Sequence, residues 1–364
     1  MIYIHVPFCR SFCTYCGFYS EICSDYESYV QELLSEIESR KDEITAFKDN
    51  PDTIYFGGGT PSLLPVGALR RVGAALRGLG VTGKDEFTIE VNPDDVVRGG
   101  VEYASALVEA GIGRVSMGVQ SLDDGILRWM GRRHDAACAR EAFRLLRLGG
   151  VRNISVDIIF GLPQLSDVQL LDTLEGLLSL GPDHISAYQL SIEEDSALAQ
   201  MIADGRFAEA SDEQCCHQYD LICERLARAG FNHYEISNWA RPGAEAVHNS
   251  AYWRRLPYVG LGPGAHSFDG AKRRWNTCQL SGYTSEYEIL TPREAAEERL
   301  MLALRTAEGL PESELRSLAS SLRSDAGRTI DTLLSEGALV QTEGRIRILE
   351  NHFFVSDDIV SGLI

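Results

Sequence analysis

Hydrophobic positions in the first half of the chain fall into two alternating patterns. Short β-rich runs, Ile2–Val6, Thr53–Phe56, Phe87–Val91, Val115–Val119, Ile154–Ile159 and His184–Leu190, read as strands. Longer stretches between them, among them Tyr26–Ile37, Glu102–Glu109, Cys138–Leu148 and Val168–Leu180, repeat their apolar residues at helical spacing. Strand–helix alternation implies a parallel sheet, because parallel neighbours need a crossover and a helix supplies it. Six such units fit an open, partial (β/α)6 barrel of the α/β class better than a closed eight-unit one.

From about residue 191 the regularity breaks. A helix over Asp212–Ala229 precedes three aromatic and Gly-rich segments, His233–Trp239, His248–Trp253 and Tyr258–Phe268. After Pro292 the helical pattern returns at Glu294–Arg305 and Asp325–Glu336, and Ala338–Leu349 reads as a β-hairpin. Helices followed by a small hairpin suggest a winged-helix-like α+β module. The expected organisation is therefore a barrel over residues 1–190, a connecting region covering it over 191–290, and a C-terminal domain over 291–364.

Bulk properties narrow the partners. A chain of 364 residues is long for one core, so more than one domain is expected. The net charge of −19 argues against a nucleic-acid partner, since phosphate binding is driven by clustered Lys and Arg. Basic spots at Arg132-Arg133 and Lys272-Arg273-Arg274 remain, suited to the carboxylates of a small molecule. No apolar run reaches the roughly 20 residues of a membrane span, and the N-terminus lacks the pattern of a signal peptide. The expected compartment is the cytoplasm, with at most peripheral membrane association. There, nine cysteines point to metal or reactive thiols more than to disulfides. Cys23, Cys138, Cys215, Cys216, Cys223 and Cys278 are scattered and read as buried thiols.

The other three stand together in Cys9-Arg-Ser-Phe-Cys13-Thr-Tyr-Cys16, in a loop directly after the first strand. Spacings of four and three let them reach three irons of one 4Fe-4S cubane, leaving the fourth iron open to a chelating small molecule. Zinc is the alternative, with Cys23 or His5 as a fourth ligand. Gly57-Gly58-Gly59-Thr60-Pro61 follows the second strand, where glycines let the main chain approach a ligand closely. Polar residues recur at each strand end: Cys9, Gly58, Glu90 with Asn92, Gln120, Asp157 and Gln189. In a parallel barrel those ends form one face, where active sites are built.

These motifs, with His-Val-Pro-Phe-Cys9, Ser116-Met-Gly-Val-Gln120 and Asp157-Ile-Ile-Phe-Gly-Leu-Pro163, resemble the oxygen-independent coproporphyrinogen oxidase superfamily of radical S-adenosylmethionine (SAM) proteins. Within it the whole chain is most similar to the HemW haem chaperones. The resemblance implies that Cys9, Cys13 and Cys16 hold the cluster, whose fourth iron is chelated by the amino and carboxylate groups of SAM. It implies that Tyr3, Gly58 and Glu90 hold that SAM. Gly59, Thr60, Gln120, Arg132 and Asp157 match positions that touch a second SAM in the oxidases, and Tyr15 fills an aromatic position beside the cluster. The implied chemistry is one-electron reduction of the sulfonium by an external electron donor, giving a 5′-deoxyadenosyl radical.

Three features favour the chaperone branch over the oxidases. The chain begins two residues before Tyr3, without the oxidases' N-terminal extension; Gly17 stands where they carry a fourth cysteine; and His248-Asn-Ser-Ala-Tyr-Trp253 matches the chaperones' His-Asn-x-x-Tyr-Trp motif. The expectation is a protein that binds haem and transfers it to an acceptor protein, with no catalytic residue assigned. The alternatives are a coproporphyrinogen III oxidase and a related radical SAM methyltransferase. His248 would supply an axial nitrogen, with Tyr252 and Trp253 packed on the macrocycle. An aromatic seam between domains is the competing reading of that motif, and His233, His266 and His217 are lesser ligand candidates. The Gly-rich Tyr258–His266 segment is expected to shape a turn beside the barrel mouth.

Overall fold

A computed structural model describes residues 1–22, 25–47, 50–194 and 196–364. Strands β1 (Ile2–Val6), β2 (Thr53–Gly58), β3 (Glu86–Val91), β4 (Arg114–Gln120), β5 (Asn153–Phe160) and β6 (His184–Gln189) lie side by side in chain order, all parallel. Helices Tyr26–Ser39, Val66–Gly78, Pro93–Glu109, Ala136–Leu148 and Asp167–Leu180 return the chain between them. The Pro93–Glu109 helix is kinked at Gly100 (φ +67), so only its second half shows the helical spacing expected over Glu102–Glu109.

Alternation along each strand explains the curvature. Ile2, Ile4, Val6, Ile54, Phe56, Ile89, Val115, Met117, Ile154, Val156 and Ile185 are fully buried under the helices. Burying one such side chain contributes about 1.5–3 kcal/mol. The opposite positions carry Tyr3, His5, Thr53, Tyr55, Glu86, Thr88, Glu90, Arg114, Ser116, Ser155, Asp157, His184 and Ser186, most of them buried. They hydrogen-bond across the sheet, as Tyr55 to Glu90, Ser116 to Asp157 and Ser155 to His184. The barrel interior is polar.

The middle region is built into this sheet as well as over it. β7 (Asn232–Glu235) and β8 (Asn238–Ala240) form a hairpin added antiparallel to β6, and β9 (Val259–Leu261) runs parallel to β1 at the other edge. The nine strands run β7-β8-β6-β5-β4-β3-β2-β1-β9, and β7 and β9 do not pair, which leaves the barrel open. A separate meander holds β10 (His266–Phe268), β11 (Lys272–Asn276) and β12 (Ser285–Ile289).

The C-terminal module has winged-helix order: helix Pro292–Leu304, β13 (Leu310–Pro311), helices Glu312–Leu322 and Ala326–Glu336, then the hairpin β14 (Leu339–Thr342) and β15 (Arg345–Ile348). Thr291 and Glu294 close its first helix with a reciprocal capping box. Phe353 and Phe354 then pack on His233, Tyr219 and Phe160, covering the β7 side of the barrel.

Candidate functional site

The cysteine loop leaves β1 at the mouth, the end where β1–β6 finish. Its backbone is pinned by Glu21 N–H to the Pro7 carbonyl (2.6 Å), Cys9 N–H to Glu21 (3.0 Å) and Thr14 N–H to Met130 (3.1 Å). The Cys9 thiol lies 3.5 Å from the Thr60 hydroxyl. Arg132 donates from Nη1 to Cys13 Sγ (3.5 Å) and from Nη2 to Asn92 Oδ1 (2.6 Å) and the Gly118 carbonyl (2.7 Å). The Arg132 guanidinium therefore sits directly against the sulfur of Cys13. Burial pushes the Cys16 thiol and the Tyr15 hydroxyl up from their ordinary pKa values.

Glu90 projects from β3 beside the Gly-rich turn. Its carboxylate accepts the Gly58 N–H at 3.0 Å and the Tyr55 hydroxyl at 2.8 Å. Burial, reinforced by the charge of Asp157, raises its pKa to about 7. Asp157, also raised by burial, accepts Ser116 Oγ at 3.1 Å on both oxygens. Gln120 ends β4 at a bulge with φ +67, and Gly118 makes room there: a Cβ on it would fall 2.9 Å from Gln120 Nε2 and 3.2 Å from Arg132 Nη2. Asn92 donates to Thr60 Oγ1 at 3.2 Å, joining the two halves of the mouth. Tyr3 lies one layer deeper, its hydroxyl 3.1 Å from His5 Nδ1.

His248 lies elsewhere. The Val247–Trp253 helix plugs the barrel floor, the end where the strands begin, with its first N–H on Glu86 Oε2 (2.7 Å). His248 is fully buried, with Nδ1 2.7 Å from Thr53 Oγ1 and Nε2 2.9 Å from the Tyr252 hydroxyl. Burial lowers its pKa to about 3. Both ring nitrogens have hydrogen-bond partners in this arrangement, so an axial role for His248 would require it to give up the Tyr252 or the Thr53 hydroxyl. Tyr252 faces inward too, which leaves Trp253 as the motif's ring on the outer side. The lesser candidates are also engaged: His233 stacks on Trp239 at 4.2 Å, His266 on Trp275 at 6.0 Å, and His217 pairs with Asp167 at 3.2 Å on the surface.

Other expectations shift in part. The basic spots are met locally, Arg133 by Asp94 (3.1 Å), Arg273 by Glu298 (2.6 Å) and Arg274 by Glu43 (3.4 Å). Cys215 is buried, but Cys138, Cys216 and Cys223 are half-buried and Cys278 is exposed; Cys23 lies outside the described residues. The Tyr258–His266 segment supplies β9, and its Gly262 approaches the His5 carbonyl on β1. Residues that the motif reading missed are Tyr55, Ser116 and Arg114. The last is a cation in the polar interior whose Nε and Nη1 have no partner.

Comparison with known proteins follows this geometry. Residues 3–177 match the model of the radical SAM superfamily and residues 290–351 that of the HemN C-terminal domain. Heme chaperone HemW of Mycobacterium tuberculosis is 32% identical, covering 100% of this chain and 94% of its own. The chain belongs to the HemW haem chaperone family. HemW of Bacillus subtilis is 33% identical over 85% of this chain and 84% of its own. A mitochondrial radical SAM domain-containing protein 1 from Bos taurus is 33% identical over 90% and 74%. Coproporphyrinogen III oxidase from Escherichia coli, a radical SAM enzyme, shares the fold with a TM-score of 0.78, covering 100% of this chain and 89% of its own at 19% identity.

The fold implies a 4Fe-4S cluster and SAM, and the mouth fits both. Zinc would need donors converging on one point about 2.3 Å from each sulfur. Among the described residues no three such donors converge, Cys23 lying outside them, and a cubane instead asks each thiolate for a different iron. Arg132 Nε is buried without a partner, a donor left free at the mouth. On Gly57 a Cβ would meet Tyr55 at 2.8 Å and Glu90 at 3.0 Å, so no side chain can stand there in front of the Glu90 carboxylate. No helix among the described residues is long and apolar enough to cross a membrane.

Proposed function

We propose that this HemW-family protein binds haem as cargo and passes it to an acceptor protein, with Cys9, Cys13 and Cys16 holding the cluster at the barrel mouth. The observation that carries this reading is end-to-end similarity to haem chaperones, 32% identity over the full chain, set against 19% for the oxidase that shares the fold. Bound at the mouth, SAM and the cluster supply one-electron chemistry at a sulfonium, fed by an external electron donor. The chain's own residues hold charge and shape there. Arg132 lies against the Cys13 sulfur, Glu90 offers a carboxylate to an amino group, and the Gly58 N–H holds that carboxylate in place. Tyr3 and Thr60 line the same space, with Gly59, Gln120 and Asp157 toward its far side.

For the cargo we propose the cleft between the floor helix and the C-terminal module. It has a volume of about 470 Å³, in the range of small-molecule sites, and Trp253, Tyr234 and Ala303 give it an apolar wall. Arg254, Arg299 and Arg345 stand at its rim. Their present partners are Glu308, at 3.0 Å from Arg254 and 3.2 Å from Arg345, and Glu314 at 2.9 Å from Arg299. Solvent-exposed pairs of this kind contribute about 0–1 kcal/mol, so a propionate can replace them at little cost. A second cleft of about 500 Å³ sets five carboxylates, Glu288, Glu294, Glu297, Glu298 and Asp357, against Arg273 and Arg305, whereas the proposed cleft balances Glu235, Glu245 and Glu308 with its three arginines and suits a dianionic cargo better. The test is anaerobic reconstitution, then haem titration followed by Soret absorbance and a coproporphyrinogen III turnover assay. Stoichiometric haem binding without turnover is expected; catalytic turnover with no haem retained would reverse the assignment.

A further inference from the structure

One strand joins the two proposed sites. Thr53, Tyr55 and Gly57 occupy alternate positions of β2 and face the barrel interior. At the floor Thr53 Oγ1 holds His248 Nδ1 at 2.7 Å. Above it the Tyr55 ring stacks on the His248 imidazole, centroids 5.0 Å apart and planes 30° from parallel. The same Tyr55 donates its hydroxyl to Glu90 Oε1 at 2.8 Å, while the next turn of chain gives Glu90 Oε2 the Gly58 N–H at 3.0 Å. On the far side His248 Nε2 meets the Tyr252 hydroxyl at 2.9 Å, one residue before Trp253 in the helix. Contact is therefore continuous from the mouth to the helix that forms one wall of the cleft.

The ring has little freedom to absorb a change at one end. Tyr55 is 8% exposed, a Cβ on Gly57 would lie 2.8 Å from its Cε1, and the Tyr3 ring is 6.1 Å away on its other flank. Close-packed interiors transmit displacement instead of dissipating it. A ligand amino group that takes Glu90 as its acceptor either competes with the Tyr55 hydroxyl for Oε1 or fixes it more firmly. Both outcomes act on a ring pressed against His248.

We propose that Tyr55 is a positioning residue that couples SAM binding at Glu90 to the conformation of the Val247–Trp253 helix, and through it to cargo binding at Trp253. This rests on the reading that Glu90 contacts SAM. Linkage makes the coupling reciprocal: if SAM changes haem affinity by some factor, haem changes SAM affinity by the same one.

The experiment compares reconstituted wild type with Tyr55→Phe, which keeps the stacking ring and removes only the hydroxyl. Amide hydrogen exchange across Val247–Trp253 is followed with and without SAM, and SAM affinity is measured by calorimetry. In the wild type, SAM should change exchange in that helix by about fivefold or more, the lower end of usual coupling. In Tyr55→Phe the change should fall to within about twofold of none. Because the readout is a ratio, any loss of SAM affinity is offset by saturating the variant. Tyr252→Phe, which keeps the Tyr55–His248 stack and frees only His248 Nε2, should lose the response at the Trp253 end of the helix, and this serves if Tyr55→Phe folds poorly. A full response in either variant, or none in SAM-saturated wild type, would overturn the proposal. Absence of haem binding beside an intact helix response would remove the cargo reading and leave the coupling standing. Failure of the wild type to bind SAM would end both.

Discussion

Glu90 is the residue whose replacement tests most of the site at once. With a pKa of about 7, its carboxyl is about half protonated at pH 7 before any ligand arrives. An amino group that ligates iron and donates a hydrogen bond to Glu90, beside the sulfonium charge, favours the ionised form, so binding expels the remaining proton. Proton release from Glu90 should be about 0.5 per SAM at pH 7, about 0.9 at pH 6 and about 0.1 at pH 8, over and above the proton that the SAM amine gives up to ligate iron, which Glu90→Gln retains. Through Glu90, SAM affinity should climb about tenfold per unit below pH 7 and level off above it, a gain of roughly 25-fold between pH 5.5 and 7.5. Glu90→Gln removes the titrating group while keeping the size of the side chain. It should remove that gain from the profile and weaken binding at pH 7.5 by about 1.5–3 kcal/mol, the worth of a charged hydrogen bond. Calorimetry in phosphate and in Tris, whose ionisation heats differ, reads the proton count directly.

The same group sets a stability trend in the ligand-free protein, and its sign is definite. The folded state keeps a proton that the unfolded chain releases near pH 4.3, so Glu90 favours folding at low pH. That advantage is lost as pH rises from about 4.3 to 7. The loss is at most about 3.5 kcal/mol and smaller where solvent enters the mouth. Glu235, raised by burial to about 7 as well, contributes in the same direction. The difference between wild type and Glu90→Gln, not the wild-type curve alone, therefore isolates Glu90. Wild-type binding with no more proton release at pH 7 than Glu90→Gln, or a pH profile unchanged in Glu90→Gln, would refute the reasoning.

Four further outcomes are expected. Cys13→Ala should leave no 4Fe-4S cluster by iron analysis and EPR after anaerobic reconstitution, and a full cluster in that variant would sink the ligand assignment. Trp253→Ala should lower haem affinity about tenfold or more, as loss of a stacking ring and its area implies. His248→Ala should instead cost about 2–4 kcal/mol of stability, because it opens a cavity and strands the Thr53 and Tyr252 hydroxyls. Thermal melts and Soret titrations separate the two, and haem loss confined to His248→Ala would return the ligand role to it. Gly58→Ala should destabilise by about 1–3 kcal/mol in chemical denaturation, since φ there is +110 and the new Cβ would fall 2.6 Å from His5 Cε1. An unchanged midpoint would show that the turn relaxes.

The six parallel strands were legible because each buries one face under helices, and a period of two in Ile, Val and Phe is a strong local signal. The mouth was legible for a related reason: strand ends sit next to loops, where cysteines and glycines stand out. What escaped was the other side of each strand below the end residues Glu90 and Asp157. Thr53 and Tyr55, Glu86 and Glu90, Arg114 and Ser116, Ser155 and Asp157, His184 and Ser186 form an alternating polar series that is plain in the sequence. It marks a polar barrel interior, and its members at the strand starts mark a floor that needs hydrogen-bonding partners. The His248 helix supplies such partners to Thr53 and Glu86. Motif spacing placed that histidine near an aromatic pair but carried no information about which pole of the barrel it faces, because the contact with Thr53 spans 195 residues. The short strands β7–β9 escaped for a similar reason. Their three or four residues are held by pairing at the sheet's edges, a tertiary gain that overrides weak local preference. A buried histidine with both nitrogens satisfied is a structural anchor first. Any part it plays in haem transfer must act through the helix it anchors, which is why the ring of Tyr55, and not the iron, is the contact to probe from that side.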